Sequence, residues 1–509
     1  MKRLFHNTVF SGVDAVVLVA LNILATPVLI RNLGVAEYGV FVFLSVFSTY
    51  GLLSFFDLGM EGSLLNYVAR FDAQGNRDAI QDTLSISLVY YGAIGLVLGV
   101  GLYLASGIIT SRFADDAVTL NWDSVILATR LTAANAFVQF LTLPLTAVLQ
   151  GLRRYVVTKV LNSVLMILQY VILMLAALVY HRVDFALAVV LGITLVRLSA
   201  LAVIVWWRKG HFRPMRFRLQ WNLLKTLFSY SSILLISRVI GIIFNQMDKF
   251  LIWFYLAATH MSIYDIVIRP ANLIRIAITT INSAIIPDVA RLHANEDTAG
   301  IRRLYVNLVR YAYVATLPAL AVLYGHMESF LNLWVGPELG QNYRLAWVIL
   351  AAYFVSPIAA VASTMAVGLE LVKKVLWISV VASIINIVLS VVLLKHFGLL
   401  GLLLGTLAAE LFMVGPYLSK MMQILEMELG EIVRAISGSL LLTIPVVAAH
   451  LYTHYRFHDE LGVWLPVAAV LTLVHLTLNY RFILSAGERT FLLARLGIIS
   501  KRGEPEAEA

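Results

Sequence analysis

The chain contains no cysteine among its 509 residues. Disulfides, thiolate metal sites and a cysteine nucleophile are therefore excluded. Charge is scarce as well: only 13% of residues are Asp, Glu, Lys or Arg, against about a quarter in ordinary soluble domains. With 60% hydrophobic residues and a mean hydropathy of +0.86, such a chain cannot hide its apolar side chains from water. No glycine-rich phosphate loop, metal-ligand histidine cluster or nucleophile motif stands out, and the loop residues His181, His211, His293, His396, His454 and His458 show no ligand spacing. Enzymes that transfer or polymerise lipid-linked sugars normally need a sizeable external loop, and the longest one expected here, about 327–343, is short. Neither catalysis nor a cofactor is expected.

Apolar stretches of roughly 20 residues recur from end to end, which is the pattern of membrane-spanning helices with internally satisfied backbones. A transmembrane barrel would instead alternate apolar and polar residues. The first stretch follows Lys2 and Arg3 and runs to Ile30 without a small-residue cleavage site, so it reads as a retained span. Spans are expected near 8–31, 36–68, 83–108, 122–150, 157–181, 184–207, 225–256, 260–288, 303–326, 344–369, 374–395, 398–419, 432–453 and 461–483. The fold class is thus an all-α membrane protein of about fourteen transmembrane helices. Two six-helix lobes, 1–207 and 225–420, flank a basic linker, 208–224; two further helices in 421–484 and a tail, 485–509, follow.

An even number of spans returns both termini to one side. If that side is the cytoplasm, its loops and tails hold 24 Lys and Arg residues against 6 on the other, as the positive-inside rule requires. This bias absorbs most of the net charge of +9, so nucleic acid is not expected as a partner. The cluster between Arg208 and Arg218 reads as a topological anchor. Gly503–Ala509 combines Pro and Glu without apolar period and is expected to be disordered; Phe491–Ile499 is expected to lie on the membrane surface.

The chain also resembles itself. Leu33–Phe41 lines up with Leu256–Tyr264, each between two spans. Gln150-Gly151-Leu152 lines up with Val367-Gly368-Leu369, and Leu191-Gly192 with Leu404-Gly405. Six spans separate corresponding landmarks, so the halves are expected to share one orientation about an axis along the membrane normal, as in transporters that alternate access by rocking one half against the other.

The segment from Ile30 to Gly75 carries Leu33-Gly34, Glu37-Tyr38-Gly39, Asp57-Leu58-Gly59 and Arg70…Gly75. The second half adds Gln246-Met247-Asp248-Lys249, Ile263-Tyr264 and Ile286-Pro287-Asp288. This pattern resembles the polysaccharide (O-antigen type) flippases of the multidrug/oligosaccharidyl-lipid/polysaccharide exporter superfamily, although Ala257 and Ser262 stand where that family often has glycine. The resemblance implies a two-lobed transporter in the bacterial inner membrane. Its cargo would be an undecaprenyl-pyrophosphate-linked oligosaccharide, moved from the cytoplasmic to the outer leaflet for surface polysaccharide export. Its partners would be that lipid-linked oligosaccharide, membrane lipids and glycan polymerases. It needs no cofactor beyond Na+ or H+ as a coupling ion.

Ionisable groups within spans cost about 2.5–3.5 kcal/mol each on insertion scales, so they face a cavity or a partner. Asp14, Asp57 and Glu61 fall in the first two spans, Arg130 and Arg197 in the fourth and sixth, and Arg238, Asp248, Lys249, Asp265, Arg269 and Arg275 in the seventh and eighth. Asp265 and Arg269, four apart, share a helix face and either pair locally or border the water-filled route. Arg238 and Arg275 have no opposite charge three or four residues away, so each binds an acid on another helix or the substrate. Guanidinium groups suit an anionic pyrophosphate, and the substrate candidates are Arg238, Arg275, Arg269, Lys249, Arg197 and Arg130. Asp14, Asp57, Glu61 and Asp248 are the ion-coupling candidates, with structural pairing as the alternative role.

Pro27, Pro144 and Pro270 either shape or hinge their helices. Trp206, Trp207, Trp221, Trp334, Trp347 and Tyr353 fall near span ends and read as interfacial aromatics. The close rival is a cation-coupled drug exporter of the same superfamily, which would favour an acidic, aromatic cavity over an arginine-bearing one. A membrane glycosyltransferase or polymerase and a non-transporting scaffold are the remaining alternatives.

Overall fold

A backbone that crosses lipid must satisfy its own N–H and C=O groups, and this chain does so with helices. The computed structural model describes residues 20–49, 51–113, 120–207, 232–283, 285–457 and 460–495, among which there is no strand. Asp14, Trp221, the basic linker 208–224 and the tail beyond 495 lie outside the described residues. Nine of the described helices are long and apolar enough to cross a membrane, so the expected count of about fourteen is not reached among these residues.

In the first half, α1 (Ala20–Leu33) and α2 (Val35–Leu44) are followed by α3 (Met60–Ala73), α4 (Arg77–Leu104), α5 (Trp122–Gly151), α6 (Tyr155–Tyr180) and α7 (Val183–Trp206). Then come α8 (Ser232–Tyr255), α9 (Ala258–Ser283), α10 (Ile286–Ala294), α11 (Thr298–Val335), α12 (Tyr343–Gly368) and α13 (Val372–Leu425). The chain ends with α14 (Leu429–Phe457), α15 (Leu461–Leu478) and α16 (Ala486–Arg495). It packs as two compact units: Met1–Ile266 with Ser383–Gly405, and Val267–Ala382 with Thr406–Ala509.

Several expected elements differ. The single span expected over 36–68 is broken into α2, a 3-10 turn at Leu52–Asp57, and α3. α2 ends at Leu44, and consecutive left-handed residues, Leu58 (φ 49°) and Gly59 (φ 75°), separate the 3-10 turn from α3, a conformation no continuous helix accommodates. The short loop expected at 327–343 is instead mostly helix, because α11 continues to Val335 and a turn at Pro337–Gly340 leads into α12. The spans expected at 374–395 and 398–419 are two helices that meet at a break, Gly398 (φ 57°, ψ −138°), and are numbered together as α13. The surface segment 491–499 begins inside α16.

The first unit has its core where α3, α4, α5 and α7 meet, around Leu64, Val68, Val148 and Leu201. Outward faces are apolar rather than charged: Val97 of α4 and Val179 of α6 are 70% and 67% exposed. Such faces suit hydrocarbon and not water.

Duplication is written into backbone geometry. After α3, the N–H groups of Gln74 and Asn76 return to the carbonyls of Arg70 and Phe71, and after α10 those of Asn295 and Asp297 return to Arg291 and Leu292. Between them Gly75 (φ 66°) and Glu296 (φ 55°) are both left-handed. The caps match too: Asn76 Oδ1 accepts the Ala79 N–H at 3.0 Å, and Asp297 Oδ1 accepts the Gly300 N–H at 2.7 Å. At the end of α5 a Cβ on Gly151 would lie 2.8 Å from Val68 Cβ and 2.9 Å from the Leu65 carbonyl; at the end of α12 a Cβ on Gly368 would lie 2.7 Å from Val289 Cβ and 3.2 Å from the Ile286 carbonyl. Each glycine admits a valine three residues beyond the carbonyl it approaches. The third landmark differs, since space around Gly192 is open whereas Gly405 is pressed against Ser390.

The first aligned segments touch each other within the first unit. Ser262 Oγ donates to the Val35 carbonyl, and a Cβ on Gly39 would lie 2.0 Å from the Ala258 carbonyl. In the alignment Val35 corresponds to Ala258 and Gly39 to Ser262, so exchanging the repeats maps this contact onto itself. Ser262 uses its hydroxyl as a donor to the backbone.

Candidate functional site

Three of the buried acids in the first unit accept hydrogen bonds from tyrosines. Tyr38 of α2 donates to Asp265 Oδ2 of α9 at 2.6 Å, with Tyr38 fully enclosed. Tyr264 of α9 donates to Asp248 Oδ2 of α8 at 3.0 Å. Tyr91 of α4 donates to Asp57, which also accepts the Glu61 N–H at 3.0 Å. A phenol satisfies a carboxylate while presenting an apolar body to the bundle. The helix-end signatures acquire a physical meaning here. Glu37 accepts the Val183 N–H at 2.7 Å, Tyr38 binds Asp265, Gly39 permits the α2–α9 crossing, and Leu58-Gly59 turns the chain after Asp57.

Of the ion-coupling candidates, the structure brings Asp57 and Glu61 together at the start of α3 and places Asp248 on α8 with Tyr264. Of the cationic candidates, Lys249 and Arg197 are half-buried and Arg130 is exposed, its guanidinium 5.0 Å over the Tyr103 ring. These three belong to the first unit, whereas Arg269, half-buried, and Arg275, exposed, belong to the second. Arg238 lies in α8 with its side chain outside the described part.

Sequence reasoning overlooked Glu410. It is 7% exposed on α13 and lies within electrostatic reach of Arg275. Both residues belong to the second unit, so Arg275 has an acid on another helix. A lone carboxylate in the apolar run before Leu411 was the available signal. Elsewhere in the second unit Tyr353 donates to Asn272 Oδ1 at 2.8 Å, and α11, α12 and α14 enclose an apolar groove of about 260 Å³ lined by Leu317, Tyr324, Leu350, Phe354, Thr443 and Val447 among others. Tyr353, expected at an interface, is instead 6% exposed inside the bundle, while Trp206 and Trp207 at the end of α7 are 69% and 77% exposed. His454, expected in a loop, sits in α14 one turn from buried His450, a spacing the sequence contained. Among the described residues no cluster of three or more His, Asp or Glu could hold a metal ion.

This duplicated helical architecture is that of the multidrug and lipid exporters. The chain has a TM-score of 0.70 to the structure "Lipid II flippase MurJ, inward closed conformation", at 13% identity over 96% of this chain and 100% of that one. To an inward-facing multidrug resistance MATE transporter of the MOP superfamily the TM-score is 0.63, at 13% identity over 81% of this chain and 96% of that one. The chain belongs to the family described as "Polysaccharide biosynthesis protein", whose pattern matches residues 28–343. It is also 19% identical over 182 residues to "Probable low-salt glycan biosynthesis flippase Agl15" of Haloferax volcanii, a match covering 36% of this chain and 39% of that protein's length. These relatives carry the names of flippases and transporters rather than of enzymes.

Proposed function

We propose that the chain is a flippase that moves an undecaprenyl-pyrophosphate-linked oligosaccharide from the cytoplasmic to the outer leaflet of a bacterial inner membrane, with both termini cytoplasmic. The observation that carries this reading is Arg275 within electrostatic reach of buried Glu410 in the second unit of a chain from a polysaccharide biosynthesis family. Glu410 is buried and Arg275 exposed, so the carboxylate lowers the cost of holding a guanidinium there. A pyrophosphate approaching Arg275 exchanges water for charge-assisted hydrogen bonds, which guanidinium makes bidentately. The apolar groove between α11, α12 and α14 suits part of the isoprenoid chain, whose transfer from lipid to an apolar wall strands no polar group.

The test is surface glycan in a deletion strain carrying variants of the gene. Arg275→Ala and Arg238→Ala are expected to abolish it while protein levels persist, and Arg275→Lys to restore less than arginine. Normal glycan with both alanine variants overturns the site. A strain with normal glycan but heightened sensitivity to cationic drugs favours the exporter alternative.

A further inference from the structure

Three histidines from three helices of the second unit are buried together. His326 of α11 is 2% exposed, and His450 of α14 and His475 of α15 are fully enclosed. His326 Nε2 and His450 Nδ1 lie 3.1 Å apart, so one proton is shared between them. His475 Nε2 is 3.0 Å from Thr443 Oγ1 and lies within electrostatic reach of His450. One turn beyond His450, His454 Nδ1 is 3.2 Å from Ser329 Oγ and its Nε2 is 3.2 Å from Glu328 Oε2. The His454 and Glu328 side chains are 22% and 32% exposed, so this end of the chain of imidazoles meets solvent. The His454 ring centre is 6.3 Å from that of His326.

A neutral imidazole has one donor and one acceptor. In the His326–His450 pair one of each is used, which leaves an N–H and a bare ring nitrogen. The outer atoms, His326 Nδ1 and His450 Nε2, and also His475 Nδ1, have no hydrogen-bond partner among the described residues. Each such buried group carries a desolvation penalty that apolar side chains would avoid. Structural packing alone therefore gives no reason for three imidazoles here. Proton binding does, because an added proton turns the shared contact into a charge-assisted imidazolium–imidazole hydrogen bond.

The pair also sits at a bend. At His326 the backbone of α11 leaves the helical region (φ −122°, ψ 17°). The preceding Gly325 lets α14 approach, since a Cβ there would lie 2.5 Å from His450 Cβ. The Trp464 ring of α15 stacks on His326 at 5.3 Å. Charge placed on this pair acts where α11, α14 and α15 converge.

We infer that His326 and His450 form a proton-binding site, loaded through Glu328 and His454, that couples proton entry to transport; the coupling half of this inference rests on the flippase reading above. The proton comes from water at the Glu328 end and binds the bare outer nitrogen of the pair, His326 Nδ1 or His450 Nε2 according to the tautomer, while the proton between His326 Nε2 and His450 Nδ1 stays in place. On the orientation that the charge bias implies, this end faces outward. The groups facing the pair are His454 of α14 and His475 of α15; Glu328 of α11 faces His454, and Arg344 at the start of α12 lies within electrostatic reach of Glu328.

The full-length protein in liposomes supplies the test. The Trp464 contribution to fluorescence, taken as wild type minus Trp464→Phe, should fall in one step as pH is lowered across roughly pH 8 to 4, because a stacked imidazolium quenches indole. His326→Gln and His450→Gln should remove the step, and in cells they should remove the dependence of glycan export on external pH. The inference is overturned if wild type shows no step, if the step survives in both glutamine variants, or if export in both variants follows wild type at every pH. The wild-type titration needs no variant of the pair to fold. A wild-type gene that restores no glycan defeats the flippase reading instead, and the liposome titration still decides the proton site.

Discussion

Removing the Tyr38 hydroxyl tests whether the α2–α9 crossing is held by a buried hydrogen bond. In Tyr38→Phe the ring stays and Asp265 loses a donor at 2.6 Å, in a place where Tyr38 is 0% and Asp265 6% exposed. Hydrogen bonds to charged groups contribute about 1.5–3 kcal/mol in soluble proteins. Interhelical bonds in a membrane protein average about 0.6 and reach about 1.7, because the unfolded helices also find partners in lipid. The short distance and complete burial place this bond at the top of the membrane range, about 1.5 kcal/mol. At about 2 °C per kcal/mol for a unit of this size, the melting temperature should fall by about 3 °C. The assay is the fraction of detergent-solubilised protein remaining monodisperse after heating. Asp265→Leu alone should also destabilise, by stranding the phenol, whereas the double variant should lose less than the sum by about 1 kcal/mol. Additivity within about 0.5 kcal/mol would refute the reasoning.

Gly151→Ala and Gly368→Ala should destabilise by similar amounts, about 1–3 kcal/mol each, because the added methyl meets a valine Cβ at 2.8 Å and 2.7 Å; thermal scans that differ widely would argue against equivalent repeats. Acid should release α16. Burial raises the Glu488 carboxyl, but hydrogen bonds from Tyr311 and Ser485 and the charge of Arg310 outweigh it and hold the group below its ordinary value of 4.5. A depressed carboxyl stabilises fully above its unfolded value and loses that stabilisation as pH falls through the folded one. Proteolysis near Ser485 should therefore be slow at neutral pH and rise only below about pH 4.5, and Glu488→Gln should be cleaved readily at neutral pH.

The repeat was legible because turns have local chemistry. Gly75, Asn76 and Gly151 name a left-handed residue, a cap and a close approach, and the same duties recur at Glu296, Asp297 and Gly368. The Leu191-Gly192 landmark failed because a glycine in an apolar helix records nothing of its neighbour, and only Gly405 has one pressed against it. The single span over 36–68 failed for a related reason: hydropathy does not register two left-handed residues at Leu58 and Gly59. Among site residues, intramembrane acids and arginines are visible singly, but their partners are not. Glu410 was missed although it stands alone in an apolar run, and the histidines of α11, α14 and α15 carry no mutual spacing apart from His450 and His454.

Sequence by itself determined that this protein is helical and membrane-embedded, since segment hydropathy is a local property that lipid reads one helix at a time. It also determined the duplication, through turns whose geometry depends on a few adjacent residues. Tertiary structure alone decided which buried polar group meets which. Tyr38 and Asp265 stand 227 positions apart, and His326 and His450 124 apart. Such pairings depend on where whole helices cross, and no periodicity within one helix encodes that.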